Sequence, residues 1–218
     1  MCFLIPRFLH SSLENHIIPT YGLLKTFFRS DEKTLSCILL AYPGLFMYSH
    51  FPKNTKLLAD AGVSNSVIGY LIRVRASVLM SSDLRKCVDE VKKLGIDPSQ
   101  VKFAIALIAK NSVHKSLWDA KVDVLKSWGW GWSKVVMSKA FKTNPLYMLT
   151  SKDKINELMK LWVNQLGWDA LALAKIPFIF GYSPERRIIP RAFVLQYLLA
   201  KEERSQLLNI YYDKKGSS

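Results

Sequence analysis

Cationic side chains carry the most direct chemical signal in this sequence. The stretch "SKVVMSKAFKTNPLYMLTSKDK" (133–154) holds Lys134, Lys139, Lys142, Lys152 and Lys154 against one acid, Asp153. "RRIIPR" places Arg186, Arg187 and Arg191 around Pro190, and "RVRAS" sets Arg73 and Arg75 beside Ala76. Lys139 and Lys142 are three residues apart, a spacing that shares one helix face. Ammonium and guanidinium groups that neutralise phosphates release counterions, and so bind nucleic acid without regard to its sequence. Arginine adds a planar fork suited to phosphate or guanine. Pro190 marks a turn or the first turn of a helix, where free backbone N–H groups can join the side chains around an anion.

Taken singly, each lysine is more simply a member of a solvated helix face. The set is harder to explain that way, because the 218-residue chain has 31 Lys+Arg against 17 Asp+Glu, a formal charge of +14. Nucleic acid is the commonest partner of such a surface, with an anionic membrane or an acidic protein as competitors. Insertion into a membrane is not expected, since "FAIALIA" stops at Lys110 and "ALALAKIPFIF" is interrupted by Lys175 and Pro177.

Other residue types offer less. Trp118, Trp128, Trp130, Trp132, Trp162 and Trp168 could stack on the bases of single-stranded RNA, but beside Leu125 and Leu161 they read first as core. Trp130 and Trp132, set among glycines in "WGWGW" (128–132), are the least committed to packing. His16 and His114 have no companions at metal-ligand spacing, and Cys2, Cys37 and Cys87 form no Cys-x-x-Cys pair. The thiols read as small core hydrophobes in a reducing compartment. Glu14 and Glu185 occupy the same place in two copies of one motif, which suits helix capping or ion pairing better than catalysis. With no phosphate-binding loop, dinucleotide fingerprint or nucleophile elbow, the chain reads as a non-enzyme that takes no cofactor, metal or small-molecule substrate.

The elements that must position the cations follow from that motif. "SLENHIIP" (12–19) and "SPERRIIP" (183–190) both give Ser-x-Glu, two variable residues and Ile-Ile-Pro, and each Pro follows another, Pro6 or Pro177, at the same distance. "YPGLFMYS" (42–49), "RASVLMSS" (75–82), "KNSVHKSLWD" (110–119) and "NPLYMLTS" (144–151) share the cadence of the second copy's approach. Their anchors fall at 6, 43, 76, 110, 145 and 177, in steps of 37, 33, 34, 35 and 32 residues. Self-similarity at this period indicates a solenoid of small repeats. After an anchor, the segments 49–62, 81–95 and 151–167 read as helices closed by Gly62, Gly95 and Gly167. In 81–95, Leu84, Val88, Val91 and Leu94 form the apolar face, with Arg85, Lys86, Lys92 and Lys93 elsewhere. Second helices are expected over 64–74 and 97–110, each stopping at the next anchor. No strand pattern occurs, so the class is all-α.

Proline-anchored repeats of this length, with "SLENHIIP", a central "KSWGW" and "SPERRIIPR", resemble the mitochondrial transcription termination factor family in its plant form, from about Pro6 to Leu199. The resemblance implies a superhelical solenoid of about six repeats over residues 1–205, each with two α-helices and a short 3₁₀ turn, followed by a frayed tail at 206–218. It implies a monomer that holds double-stranded DNA or RNA in a basic groove without enzymatic activity. Mitochondrial or chloroplast localisation, and a role in transcription or RNA processing, come with it. Because the first repeat motif is already under way at Pro6, the chain reads as an N-terminally shortened member. The residues themselves also permit a protein-binding α-solenoid adaptor with an acidic partner.

Overall fold

The computed structural model describes residues 12–36, 50–130 and 134–201, and all regular structure among them is helical. Eleven α-helices follow one another among the described residues: α1 (Ile18–Phe28), α2 (Asp31–Ser36), α3 (His50–Asp60), α4 (Asn65–Arg75), α5 (Leu84–Lys93), α6 (Val101–Ser112), α7 (Lys115–Ser127), α8 (Lys134–Thr143), α9 (Lys152–Met159), α10 (Ala170–Leu173) and α11 (Ile189–Lys201). The chain divides after Lys115 into two compact units.

The turns that stop these helices follow from residue chemistry. Among the described residues, positive φ occurs at Arg29 (52°), Gly62 (84°), Gly95 (72°), Gly129 (88°) and Gly167 (67°). Each stands just after a helix or its closing turn, where a left-handed residue lets the chain leave while its N–H still meets a helical carbonyl. Gly62 N donates to Ala59 O at 2.9 Å, and Gly95 N to Lys92 O at 2.8 Å. Arg29 does the same without glycine's freedom, donating to Lys25 O at 2.9 Å.

The anchors mark a second kind of turn. Ala76, Pro145 and Pro177 each open a five-residue 3₁₀ helix, Ala76–Met80, Pro145–Leu149 and Pro177–Gly181. The residue before each leaves the helical region: Arg75 has φ −158° and ψ 69°, Asn144 −148° and 92°, Ile176 −124° and 51°. Proline's ring enforces this at two of the three. At Ala76 the site is wholly buried, and a small residue serves. The anchor at Lys110 behaves otherwise. Here α6 runs through to Ser112 before extended Val113 ends it, and Lys110 pairs with Glu90 at 2.9 Å. Without a proline no N–H is missing, so nothing stops the helix on the anchor itself. The anchors at Pro6 and Pro43 lie outside the described residues.

The two Ser-x-Glu motifs adopt one local structure. Ser12 and Ser183 accept from the N–H groups of Asn15 (3.2 Å) and Arg186 (3.3 Å), capping the π turns Leu13–Ile17 and Pro184–Ile188. Ile18 N and Ile189 N donate five residues back, to Leu13 O and Pro184 O, so the turn widens just ahead of Pro19 and Pro190. A wide turn accommodates the N–H that proline lacks and lets α1 and α11 begin without a break.

In the first unit α4 packs on α1 and α6, and α5 packs on α6. Leu84, Val88 and Val91 of α5 are buried, Leu94 is half-buried, and Arg85, Lys86, Lys92 and Lys93 are exposed, as their spacing predicts. In the second unit α8 packs on the 3₁₀ turns Pro145–Leu149 and Pro177–Gly181, and those turns pack on each other. Trp130 is the centre of this core, fully buried, edge-on to Phe180 with ring centroids 5.8 Å apart and 6.1 Å from Tyr147.

Candidate nucleic-acid interface

The cations of the second unit flank the two packed turns. Lys139 and Lys142 lie in the last two turns of α8, which ends just before Pro145–Leu149. Lys152 and Lys154 lie in the first turn of α9, just after it, where Ser151 accepts from Lys154 N at 3.3 Å. Arg186 and Arg187 follow the second 3₁₀ turn, Pro177–Gly181, against which α9 packs. Packing of the turns brings these elements together, and of the side chains Lys154 and Arg186 both act on Glu185.

Lys139, Lys152, Arg186, Arg187 and Arg191 are exposed, while Lys142 and Lys154 are half-buried. The Lys134 side chain lies outside the described residues. Arg73 and Arg75 are exposed at the C-terminal end of α4, in the first unit. Among the described residues, none of these candidate side chains forms an ion pair. The ion pairs among the described residues join Lys25 to Asp31, Lys110 to Glu90 and Lys126 to Asp123.

Glu185 and Asp153 are acids beside these cations, and Glu185 feels two of them. Its carboxyl is held below the usual range first by the backbone N–H of Glu185 itself, then by the Ser183 hydroxyl, which donates at 3.1 Å, with Lys154 and Arg186 adding attraction. The acid stays ionised and is outnumbered. Arg187 does not pair with it, and its guanidinium sits over the Tyr182 ring, 5.7 Å from the centroid.

The expected backbone contribution at Pro190 is absent. Arg187 N and Ile188 N donate to Ser183 O at 3.1 and 3.2 Å, and Ile189 N to Pro184 O, so these N–H groups are already used. Pro190 lies inside a continuous helical run, and Arg187 and Arg191 offer side chains alone to an anion there.

The tryptophans belong to the core more than to the surface. Trp128 Nε1 donates to Asn156 Oδ1 at 2.9 Å, and Trp118 meets Phe141 edge-on at 5.5 Å. Trp162 is buried against Trp168, ring centroids 4.8 Å apart, with its Nε1 unpartnered. Trp130 corrects its sequence reading, because its Nε1 reaches Ala170 O at 2.8 Å and leaves no ring face for a ligand. Trp132 lies outside the described residues.

Two residues were not singled out by sequence. Tyr182 sits five residues before Arg187 in "GYSPERR", and that spacing is its only signal. Lys121, inside "DAKVDVL", reads as a solvated lysine yet is buried, its Nζ donating to Met148 O at 2.7 Å. No three of the described His, Cys, Asp and Glu residues come together as a metal set, and no described helix is long and apolar enough to cross a membrane. Comparison with protein-family models, curated proteins and solved structures gives no match to this chain.

Proposed function

We propose that this chain is a nucleic-acid-binding helical repeat protein, acting by occupying DNA or RNA without changing it covalently. The observation that carries the reading is the set Lys139, Lys142, Lys152, Lys154, Arg186 and Arg187, borne by elements that flank two packed 3₁₀ turns of the second unit, with no ion-pair partners among the described residues. Cations kept unpaired near one another favour a polyanion. The recurring positive-φ residues at 29, 62, 95, 129 and 167, together with 3₁₀ turns at three anchors, support a superhelix of about six repeats. Such a protein fits the plant-type mitochondrial transcription termination factors that the motifs resemble, with organellar transcription or RNA processing as its process and a monomer as its working form.

One feature favours a second reading, a protein-binding adaptor. Phe193, Val194, Tyr197 and Leu198 of α11 are 68, 59, 60 and 41% exposed and fall in one stripe. A competition assay separates the readings. Purified chain is offered labelled duplex DNA and single-stranded RNA, with heparin as competitor, at two salt concentrations. Direct binding that weakens steeply with salt supports the nucleic-acid reading. Failure to bind either naked nucleic acid at low salt overturns it.

A further inference from the structure

Resting on that reading, we infer that Tyr182 and Arg187 form a stacking platform, and that the second unit therefore takes single-stranded nucleic acid in preference to duplex. The Arg187 guanidinium lies over the Tyr182 ring at 5.7 Å, while the ring itself is half-buried and braced by Phe178, whose centroid is 6.3 Å away at 72°. The tyrosine is thus fixed and the arginine is the outer layer. A guanidinium held in cation–π range of an aromatic face has given up some of its rotamer freedom before any ligand arrives. Its outer face is a plane of the size and polarity on which an unpaired base stacks.

Around this plane stand the groups that a strand's backbone needs. Arg186 is exposed next door, and Lys154 reaches the same electrostatic field through Glu185. Phosphate-binding cations beside a stacking face are the two parts of a single-strand site, and both are sequence-tolerant. A duplex uses the cations but hides its base faces in the stack, so only an unpaired base can use the Tyr182–Arg187 pair. An arginine that served only charge would have no reason to be ordered on a ring, since phosphate contacts tolerate a mobile side chain.

The test compares a fluorescein-labelled single-stranded oligoribonucleotide with a duplex of the same sequence, by anisotropy, on the full chain. Tyr182→Leu removes the ring and keeps apolar bulk. Arg187→Lys keeps the charge and removes the plane. Both should lower single-strand affinity by about tenfold more than duplex affinity, with no change in the salt slope of single-strand binding, and Tyr182→Phe should restore it. Should Tyr182→Leu fail to fold by circular dichroism, Arg187→Lys at the exposed layer decides alone. Equal losses on both ligands, or wild-type single-strand binding in Arg187→Lys, would overturn the platform while leaving the functional reading intact. A wild-type chain that binds neither ligand overturns both.

Discussion

The Lys121 ammonium donates to the Met148 carbonyl oxygen at 2.7 Å, and Met148 is the third residue after Pro145, which opens its 3₁₀ turn. The same position recurs in the other two turns. Asn54 Nδ2 donates at 2.8 Å to Leu79 O, three residues after Ala76, and Thr150 Oγ1 donates at 3.0 Å to Phe180 O, three after Pro177. A 3₁₀ turn ends with carbonyls that the helix ladder does not satisfy, and here each meets a side-chain donor from earlier in the chain. An amide, an ammonium and a hydroxyl meet one geometric demand.

Asn54 makes the demand measurable. Its amide also reaches Ser81 O at 2.9 Å, so Asn54→Leu strands two carbonyls while filling the volume. At about 1–3 kcal/mol for each buried polar group left unpaired, the variant should lose at least about 2 kcal/mol. Thr150→Val strands only one, part-buried, and should lose about 1 kcal/mol. Urea denaturation gives both values, and an Asn54→Leu chain as stable as wild type would show that solvent already serves those carbonyls.

Lys121 should announce itself through pH. Burial lowers its ammonium below the ordinary 10.5. Between that lowered value and 10.5 the unfolded chain keeps a proton that the folded chain has released, so stability rises with pH through this window and levels off above it. Tyr147, whose phenol burial raises, contributes a fall above 10.0, but it is common to wild type and variant. Denaturation midpoints from about pH 8 to 10.5 should therefore show wild type gaining on Lys121→Met as pH increases. A constant difference across the range would mean that the amine titrates alike in both states.

The helical class was legible because it rests on local chemistry. Gly62, Gly95 and Gly167 can be read as helix ends from residue type alone, and the stop ahead of Pro145 and Pro177 follows from proline geometry. What sequence could not supply is whatever depends on distant partners. Trp130, between two glycines, reads as uncommitted to packing, and only the Ala170 carbonyl and the Phe180 ring draw it inside. Lys121 looks solvated because nothing nearby in sequence shows that Met148 needs a donor. The candidate cations were visible as residues, but that the elements bearing them come together depends on one 3₁₀ turn packing on another.

Arg29 offers a test of the recurring left-handed position. It is the one described non-glycine residue with positive φ, exposed at 52°, thirty-three residues before Gly62. Left-handed backbone disfavours a residue with a Cβ by about 1–2 kcal/mol. Arg29→Gly should raise stability by somewhat less than that, because glycine also gains freedom in the unfolded chain. Gly62→Ala should lower it by about 1 kcal/mol or more through the backbone alone, since an added Cβ there meets no atom within 4 Å. Opposite signs in the two unfolding midpoints are the expected result, and like signs would remove backbone strain as the explanation.

The cationic neighbourhood makes the functional prediction. Lys154 and Arg186 come from different elements, α9 and the π turn before α11, yet both act on Glu185. If they contact phosphate, Lys154→Gln with Arg186→Gln should weaken duplex binding across all sequences. The slope of log affinity against log salt should fall by about 2. Helicity should hold, because neither side chain has an ion-pair partner among the described residues. Arg73→Gln with Arg75→Gln, in the first unit, asks the same of a second basic site and should add a separate drop if both sites touch one duplex. A surface charge that met only water would contribute at most about 1 kcal/mol to stability and nothing to the slope. An unchanged slope in the Lys154/Arg186 variant would therefore place the nucleic-acid contact elsewhere on the chain.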